Sequence, residues 1–188
     1  MKSSTKKKYP TIGCCGIDCG LCPRFYTTGT SKCPGCLGKD FRNFHPSCSI
    51  ITCCVKTKNY ETCADCEELP CKRIEKWDQV DSFVTHRDCF RNLQEIRRNG
   101  IESFITQHKL RMKFLRNLLE KYDDGRSKSF YCLSAALLPV DSMNSIVAEL
   151  SRSEPKPIDR KESAKMLRKA FTDVAAAIGI DLKYRKKA

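Results

Sequence analysis

Aliphatic and phenylalanine side chains are scarce in the first third of this 188-residue chain. Between residues 14 and 71 the leucine, isoleucine, valine and phenylalanine residues are Ile17, Leu21, Phe25, Leu37, Phe41, Phe44, Ile50, Ile51, Val55 and Leu69. So small a set leaves a region of that length marginal by itself, which argues against a conventional hydrophobic domain there. No apolar run is long enough to cross a bilayer. The basic start, Lys2 to Lys8, is followed by no apolar segment, so a secretory signal is not expected. There is no solenoid period and no alternation of strands and helices such as a βα barrel needs. Acidic residues are the minority, 22 against 35 Lys and Arg, for a formal charge of +13. That excess leaves a nucleic-acid or other anionic partner open. It is spread along helices and both tails without an aromatic-studded stripe, as solvated helix faces would be.

Cysteine is what the first third has instead. Twelve of the fourteen cysteines fall between residues 14 and 71. Cys19/Cys22, Cys33/Cys36 and Cys63/Cys66 have C-x2-C spacing, which sets two thiolates on one metal ion from a single turn. In Cys33-Pro34-Gly35-Cys36 the proline presets one dihedral and the glycine permits a positive one, so backbone N–H groups can turn toward sulfur. Cys19-Gly20-Leu21-Cys22 follows the same logic. With no export signal the expected compartment is the cytosol, where dense cysteine means metal more often than disulfides. A structural zinc supplies about 10 to 16 kcal/mol, the stability that the missing core does not. Two zinc sites of four thiolates each would lower the net charge to roughly +9.

The series Cys15-Gly16-Ile17-Asp18-Cys19-Gly20-Leu21-Cys22-Pro23, Cys33-Pro34-Gly35-Cys36, Cys48 to Cys53, Cys63-Ala64-Asp65-Cys66 and Leu69-Pro70-Cys71 resembles a prokaryotic cysteine-rich family catalogued as domain of unknown function 3795. The resemblance covers roughly residues 12 to 75 and implies metal binding, with zinc as the expected metal. It implies ten ligands: Cys15, Cys19, Cys22, Cys33, Cys36, Cys48, Cys53, Cys63, Cys66 and Cys71. Ten thiolates exceed two tetrahedral sites by two, whereas adding Cys14 and Cys54 would fill three. Both totals stay open, and two or more zinc ions are expected. Sites closed by four thiolates leave no position for water and are structural. No H-E-x-x-H or comparable general-base motif is present, so no catalytic residue is assigned. The alternative is an iron-sulfur cluster, because Cys15-x3-Cys19-x2-Cys22 has a spacing used for such clusters. The ferredoxin run C-x2-C-x2-C-x3-C-P is absent.

The rest reads as helix. The expectation is a mainly α protein, a small metal-stapled module packed on a helical domain of about five helices. The boundaries are 1–13 for a basic tail, 14–72 for the module, 73–182 for the helices and 183–188 for a second basic tail. Tyr9 to Ile12 reads as a short extended piece. Helical periodicity starts at Trp77, placing Phe83, Phe90, Leu93 and Ile96 on one face that ends at Asn99-Gly100. Ile101, Phe104, Ile105, His108, Met112, Leu115, Leu119 and Tyr122 form the stripe of a longer helix. Phe130 to Leu138 is apolar all round and stops at Pro139. Asp141 is expected to cap a helix carrying Met143, Ile146, Val147 and Leu150. Ser151 to Pro157 reads as a linker, and Asp159 with Glu162 as the capping box of a last helix burying Ala164, Met166, Leu167, Ala170, Phe171, Val174 and Ile178.

Smaller signals are weighed against bland roles. His45 could replace a thiolate, although an exposed loop position is the plainer reading. His86 and Cys89 have a chelating spacing, but Cys89 beside Phe90 and Leu93 reads as a small buried hydrophobe, as does Cys132. Trp77 is expected to seal the module, His108 to border a helix interface and Glu67-Glu68 to be solvated. Arg126, Ser127, Lys128 and Ser129, just before an apolar helix, could converge on an anion.

Overall fold

A computed structural model describes residues 7–152 and 159–186. Residues 1–6 of the expected basic tail, most of the expected linker, and Lys187 and Ala188 of the second expected tail lie outside them.

The cysteine region is built from single turns, as its Gly and Pro content dictates. Short 3-10 turns occupy Cys19–Leu21, Pro23–Tyr26, Gly29–Ser31, Phe41–Asn43 and Cys63–Asp65. Helix α1, Ser49–Ile51, continues into a π-helical stretch, Thr52–Thr57, which carries Cys53 and Cys54. Thr62 and Asp65 form a reciprocal capping box around Cys63–Asp65. Gly35 adopts φ +83° as its turn requires, and a Cβ there would fall 2.3 Å from the Pro10 carbonyl oxygen. The Cys36 N–H donates to that oxygen at 2.7 Å. Gly20 uses no positive φ; it is buried in the Cys19–Leu21 turn and its N–H donates to the Thr11 carbonyl at 2.8 Å.

Five longer helices follow: α2 Cys89–Asn99, α3 Ile101–Tyr122, α4 Lys128–Leu137, α5 Val140–Arg152 and α6 Arg160–Ala177. The described residues contain no strand, so the protein is mainly α. By contacts the chain forms two compact units, one running to His108 and taking back the C-terminus from Tyr184, the other Lys109–Lys183. In the first unit, Leu93 and Ile96 of α2 and Phe104 and Ile105 of α3 share one buried cluster with Ile12, Cys14, Cys15, Cys36, Ile50, Ile51, Cys54 and Val55. The module thus draws on helical side chains for the apolar surface it lacks. Trp77 packs against this cluster.

In the second unit, α4 is buried from Tyr131 to Leu137. Arg111 donates to the carbonyls of Ala135 and Leu138, both at 2.8 Å, satisfying acceptors that a helix end leaves open. Phe171 of α6 stacks on Phe130, with the Arg168 guanidinium 4.3 Å from the Phe130 ring centre.

Several local expectations are corrected. Residues 72–88 are turns, and α2 begins only at Cys89. Asp81 explains this: its carboxylate accepts from the His86 N–H at 2.8 Å and the Thr85 hydroxyl at 3.2 Å, competing with a helical ladder. Phe83 is 61% exposed, under the guanidinium of Arg24. Asp141 lies inside the first turn of α5 and Asp159 makes no side-chain cap bond. Met166 and Ile178 of the last helix are exposed. The residues before the module are not a loose tail once described: Ile12 is fully buried, Tyr9 to Ile12 is a turn, and the Lys7 side chain is buried. At the other end, the Arg185 N–H donates to Asp81 at 2.7 Å and its guanidinium lies 3.2 Å from the same carboxylate.

Candidate metal centre

The first thiol group surrounds Cys19. Its thiol is pushed well up by burial and then by Cys36, Cys15, Cys22 and Cys33, which all lie within electrostatic range. Cys22 is also pushed up by burial, opposed by N–H donors from Arg24 and Phe25. Cys33 lies 3.2 Å from Nε2 of His45, whose ring stacks on Phe41 at 4.5 Å. Cys15 is held below the ordinary thiol range chiefly by the neighbouring Cys89 thiol, against burial, with the Ile17 N–H helping. The buried Trp77 indole N–H has no hydrogen-bond partner among the described residues. N–H groups turned toward sulfur are what a thiolate needs when it is taken out of water.

A second group runs through the core. The Cys14 and Cys36 sulfurs are 3.9 Å apart, Cys54 lies within electrostatic range of Cys14, and Cys63 within range of Cys54. Cys14 and Cys54, outside the ten-ligand pattern, are among the most buried thiols at 1% and 2% exposure. The hydrogen bond from Cys36 lowers the Cys14 thiol, but the bond with Cys54 and burial outweigh it and push it up. The Lys7 ammonium faces Cys14, Cys36 and Cys54, with Glu61 beside it at 3.5 Å. Burial disfavours this cation, and the surrounding thiols and Glu61 more than compensate, raising its pKa. Composition gave no signal for Lys7, which reads in sequence as one more tail lysine.

The third group lines an open concavity. Cys53, Cys54, Cys63, Cys66 and Cys71 border it together with Ile50, Leu69, Ile74, Lys58, Glu68 and Arg73. Lys58 donates to the Cys66 sulfur at 3.4 Å and pairs with Glu68 at 2.6 Å. Arg97 of α2 donates to the carbonyls of Ala64 and Cys66, which fixes this knuckle from behind. Cys48 packs against the buried cluster at the start of α1.

Asp18 is the polar residue that sequence reasoning passed over within its own motif. It is buried, accepts from Asn92 at 3.0 Å, and has His108 Nδ1 3.5 Å away. His86 does not chelate with Cys89: Nδ1 contacts the Trp77 carbonyl at 3.0 Å and Nε2 the Ser82 hydroxyl at 2.9 Å. At the second expected site, the Gly125 and Arg126 N–H groups are already taken by Asp123 and Asp124, at 3.1 and 3.0 Å. Ser127 is buried with Arg168 Nη2 at 3.4 Å.

All fourteen cysteines are free thiols. Their chemistry fits a thiophilic metal: reduced sulfurs gathered with N–H and ammonium donors around them. Among the described residues, no three His, Cys, Asp or Glu side chains meet at one ion-sized point.

Fold and thiols together define a helical protein with a cysteine-rich N-terminal domain. Residues 11–76 match the family model described as "Protein of unknown function (DUF3795)", and that segment is identified as a domain of this family. Searches of curated proteins and of solved structures return no match. No described helix is long and apolar enough to cross a membrane.

Proposed function

We propose that residues 14–71 are a metal-binding module whose thiols hold zinc in closed, structural sites, and that the protein works as a binding or interaction module in a reducing compartment such as the cytosol. The observation that carries this reading is the gathering of twelve unoxidised cysteines in a region with few apolar side chains. Thiols left this close without disulfides suit metal, which would supply the stability that burial does not. Cys53, Cys63, Cys66 and Cys71 form one ligand set around the concavity, and the sulfurs around Cys19 form another.

A second reading has its own observation. Cys15-x3-Cys19-x2-Cys22 has a spacing used for iron-sulfur clusters, whose irons are held by thiolates. Elemental analysis and an absorption spectrum of protein purified without oxygen separate the two. Colourless protein with zinc supports the first reading. Brown protein with iron, acid-labile sulfide and visible bands that bleach on reduction supports the second.

A further inference from the structure

We propose that the loop 78–86 is a recognition site for an arginine carried on an extended basic peptide, and that the chain's own Arg185 fills it from within. The inference rests on the interaction role proposed for this protein, names the chemical class of the partner and does not depend on metal. Residues 78–86 form no helix or strand and lie outside the thiol motif. The arginine they hold is 104 positions away from Asp81 in the chain.

The loop meets this one residue through backbone and side chain together. The Arg185 N–H donates to the Asp81 carboxylate at 2.7 Å, and the Arg185 carbonyl accepts from the Asp81 N–H at 3.0 Å. The guanidinium lies 3.2 Å from the other carboxylate oxygen and donates to the Asp78 carbonyl. Backbone bonds of this kind give an extended segment its affinity, and the carboxylate selects the side chain. Asp81 is set for the contact by its own loop: it also accepts from the His86 N–H at 2.8 Å and the Thr85 hydroxyl at 3.2 Å. Its side chain is fully buried, whereas that of Arg185 stays 39% exposed. A buried carboxylate needs a cation beside it. Arg87 stands at 3.8 Å, a longer contact than the 3.2 Å of Arg185.

Two features suit exchange of the internal arginine for one on a partner. The stretch between Ala177, where α6 ends, and Tyr184 is neither helix nor strand, with Gly179 at φ +70°. A short anchor on such a tether opens locally at small cost compared with the core. The loop also carries Val80 and Phe83, one on each side of Asp81 in the chain and 39% and 61% exposed, with the Arg24 guanidinium 4.3 Å from the Phe83 ring centre. They are two of the five large apolar side chains left exposed among the described residues. A tether for the internal segment alone would need the carboxylate but not this apolar surface. Apolar contact beside a placed charge is what a peptide site uses.

The test uses the full chain and a fluorescein-labelled peptide with the sequence of residues 182–187, beside the same peptide carrying Arg185→Ala. Binding is read by fluorescence anisotropy. The expected result is binding to the Arg185→Ala chain at least about tenfold tighter than to the wild type, whose own segment competes at a high effective concentration. Binding should be lost when Asp81→Asn is added to that chain, and with the alanine peptide. In isotope-labelled wild type, which needs no substitution, excess unlabelled peptide should move the Arg185 Nε–H signal to that of a free arginine. Equal binding of the two peptides, no binding to the Arg185→Ala chain, or an Arg185 signal that excess peptide does not move would overturn the site. Concentration-dependent dimers of the wild type that vanish in Arg185→Ala would give the site to a second copy and overturn the peptide proposal as well. Metal per chain, measured on the same samples, decides the metal reading separately, so either can fail without the other.

Discussion

The Cys14 sulfur lies 3.9 Å from that of Cys36, so a cysteine outside the family's ligand pattern touches one inside it. Their shared neighbour is the buried Lys7 ammonium, which donates to the Glu61 carbonyl and pairs with its carboxylate at 3.5 Å. Lys7 therefore carries an ion pair with Glu61 into the thiol core. A residue read as part of a tail closes the module.

Lys7→Met keeps the length of the side chain and removes its charge and donors. It leaves a buried carbonyl without its donor and should cost about 1–3 kcal/mol, read as a lower urea midpoint. Lys8→Met is the contrast: its Glu102 partner is as exposed as itself, so the midpoint should stay where it was. Equal midpoints for the two variants would contradict a structural role for Lys7.

Gly16 and Gly179 both have positive φ, +82° and +70°, but only at Gly16 does a Cβ meet backbone. Gly179→Ala should therefore cost about 1–2 kcal/mol from the left-handed conformation alone. Gly16→Ala adds a clash with the Cys89 carbonyl, for a total of about 2–5 kcal/mol. Chemical denaturation of both variants measures the difference, and a smaller loss for Gly16→Ala would deny the close approach of α2 to the knuckle.

Burial lowers the His86 pKa below the ordinary value of 6.5, with the Trp77 carbonyl opposing. The unfolded chain binds this proton more readily than the folded one, so the contribution is complete above pH 6.5 and fades as pH falls through the folded value. His86→Gln should flatten that part of the pH dependence of thermal unfolding. Acid release of metal affects both proteins, so the informative quantity is their difference, and parallel curves would remove His86 from the account.

Asp81 receives the Arg185 backbone and guanidinium, and Arg87 lies 3.8 Å away. In Asp81→Asn the charge-assisted bonds are lost and the C-terminal segment from Tyr184 should detach. Tryptic cleavage after Lys183 and Arg185 would then accelerate about tenfold or more. Unchanged cleavage would show that the segment is held by something else.

Helical content was legible wherever a 3.6-residue apolar stripe ran long: Phe104, Ile105, Met112 and Leu115 in α3, and Tyr131 to Leu137 in α4, are buried as their spacing requires. Residues 77–88 were misread because Phe83 happens to fall in phase with Phe90 and Leu93. The Asp81 side chain, which takes local N–H and O–H groups into a loop, carries no periodic signal. The motif located the thiols but not their partners. Cys89 is buried as its place on a helix face suggests, whereas Cys14 and Cys54 looked like spares, because their neighbours depend on how turns stack, which spacing along the chain does not encode. Lys7 and Asp18 were hidden for the same reason: burial of a charged side chain is decided by tertiary contacts alone.

Metal is proposed to hold residues 14–71 together where their own apolar side chains are too few. That role is tested most directly by following proteolysis of that segment while a strong chelator removes metal from the oxygen-free protein and the released ions are counted. The account predicts release of about two or more zinc ions per chain, loss of protease resistance in step with release, and recovery when zinc is returned. A metal-free protein whose residues 14–71 resist protease with or without chelator would contradict it.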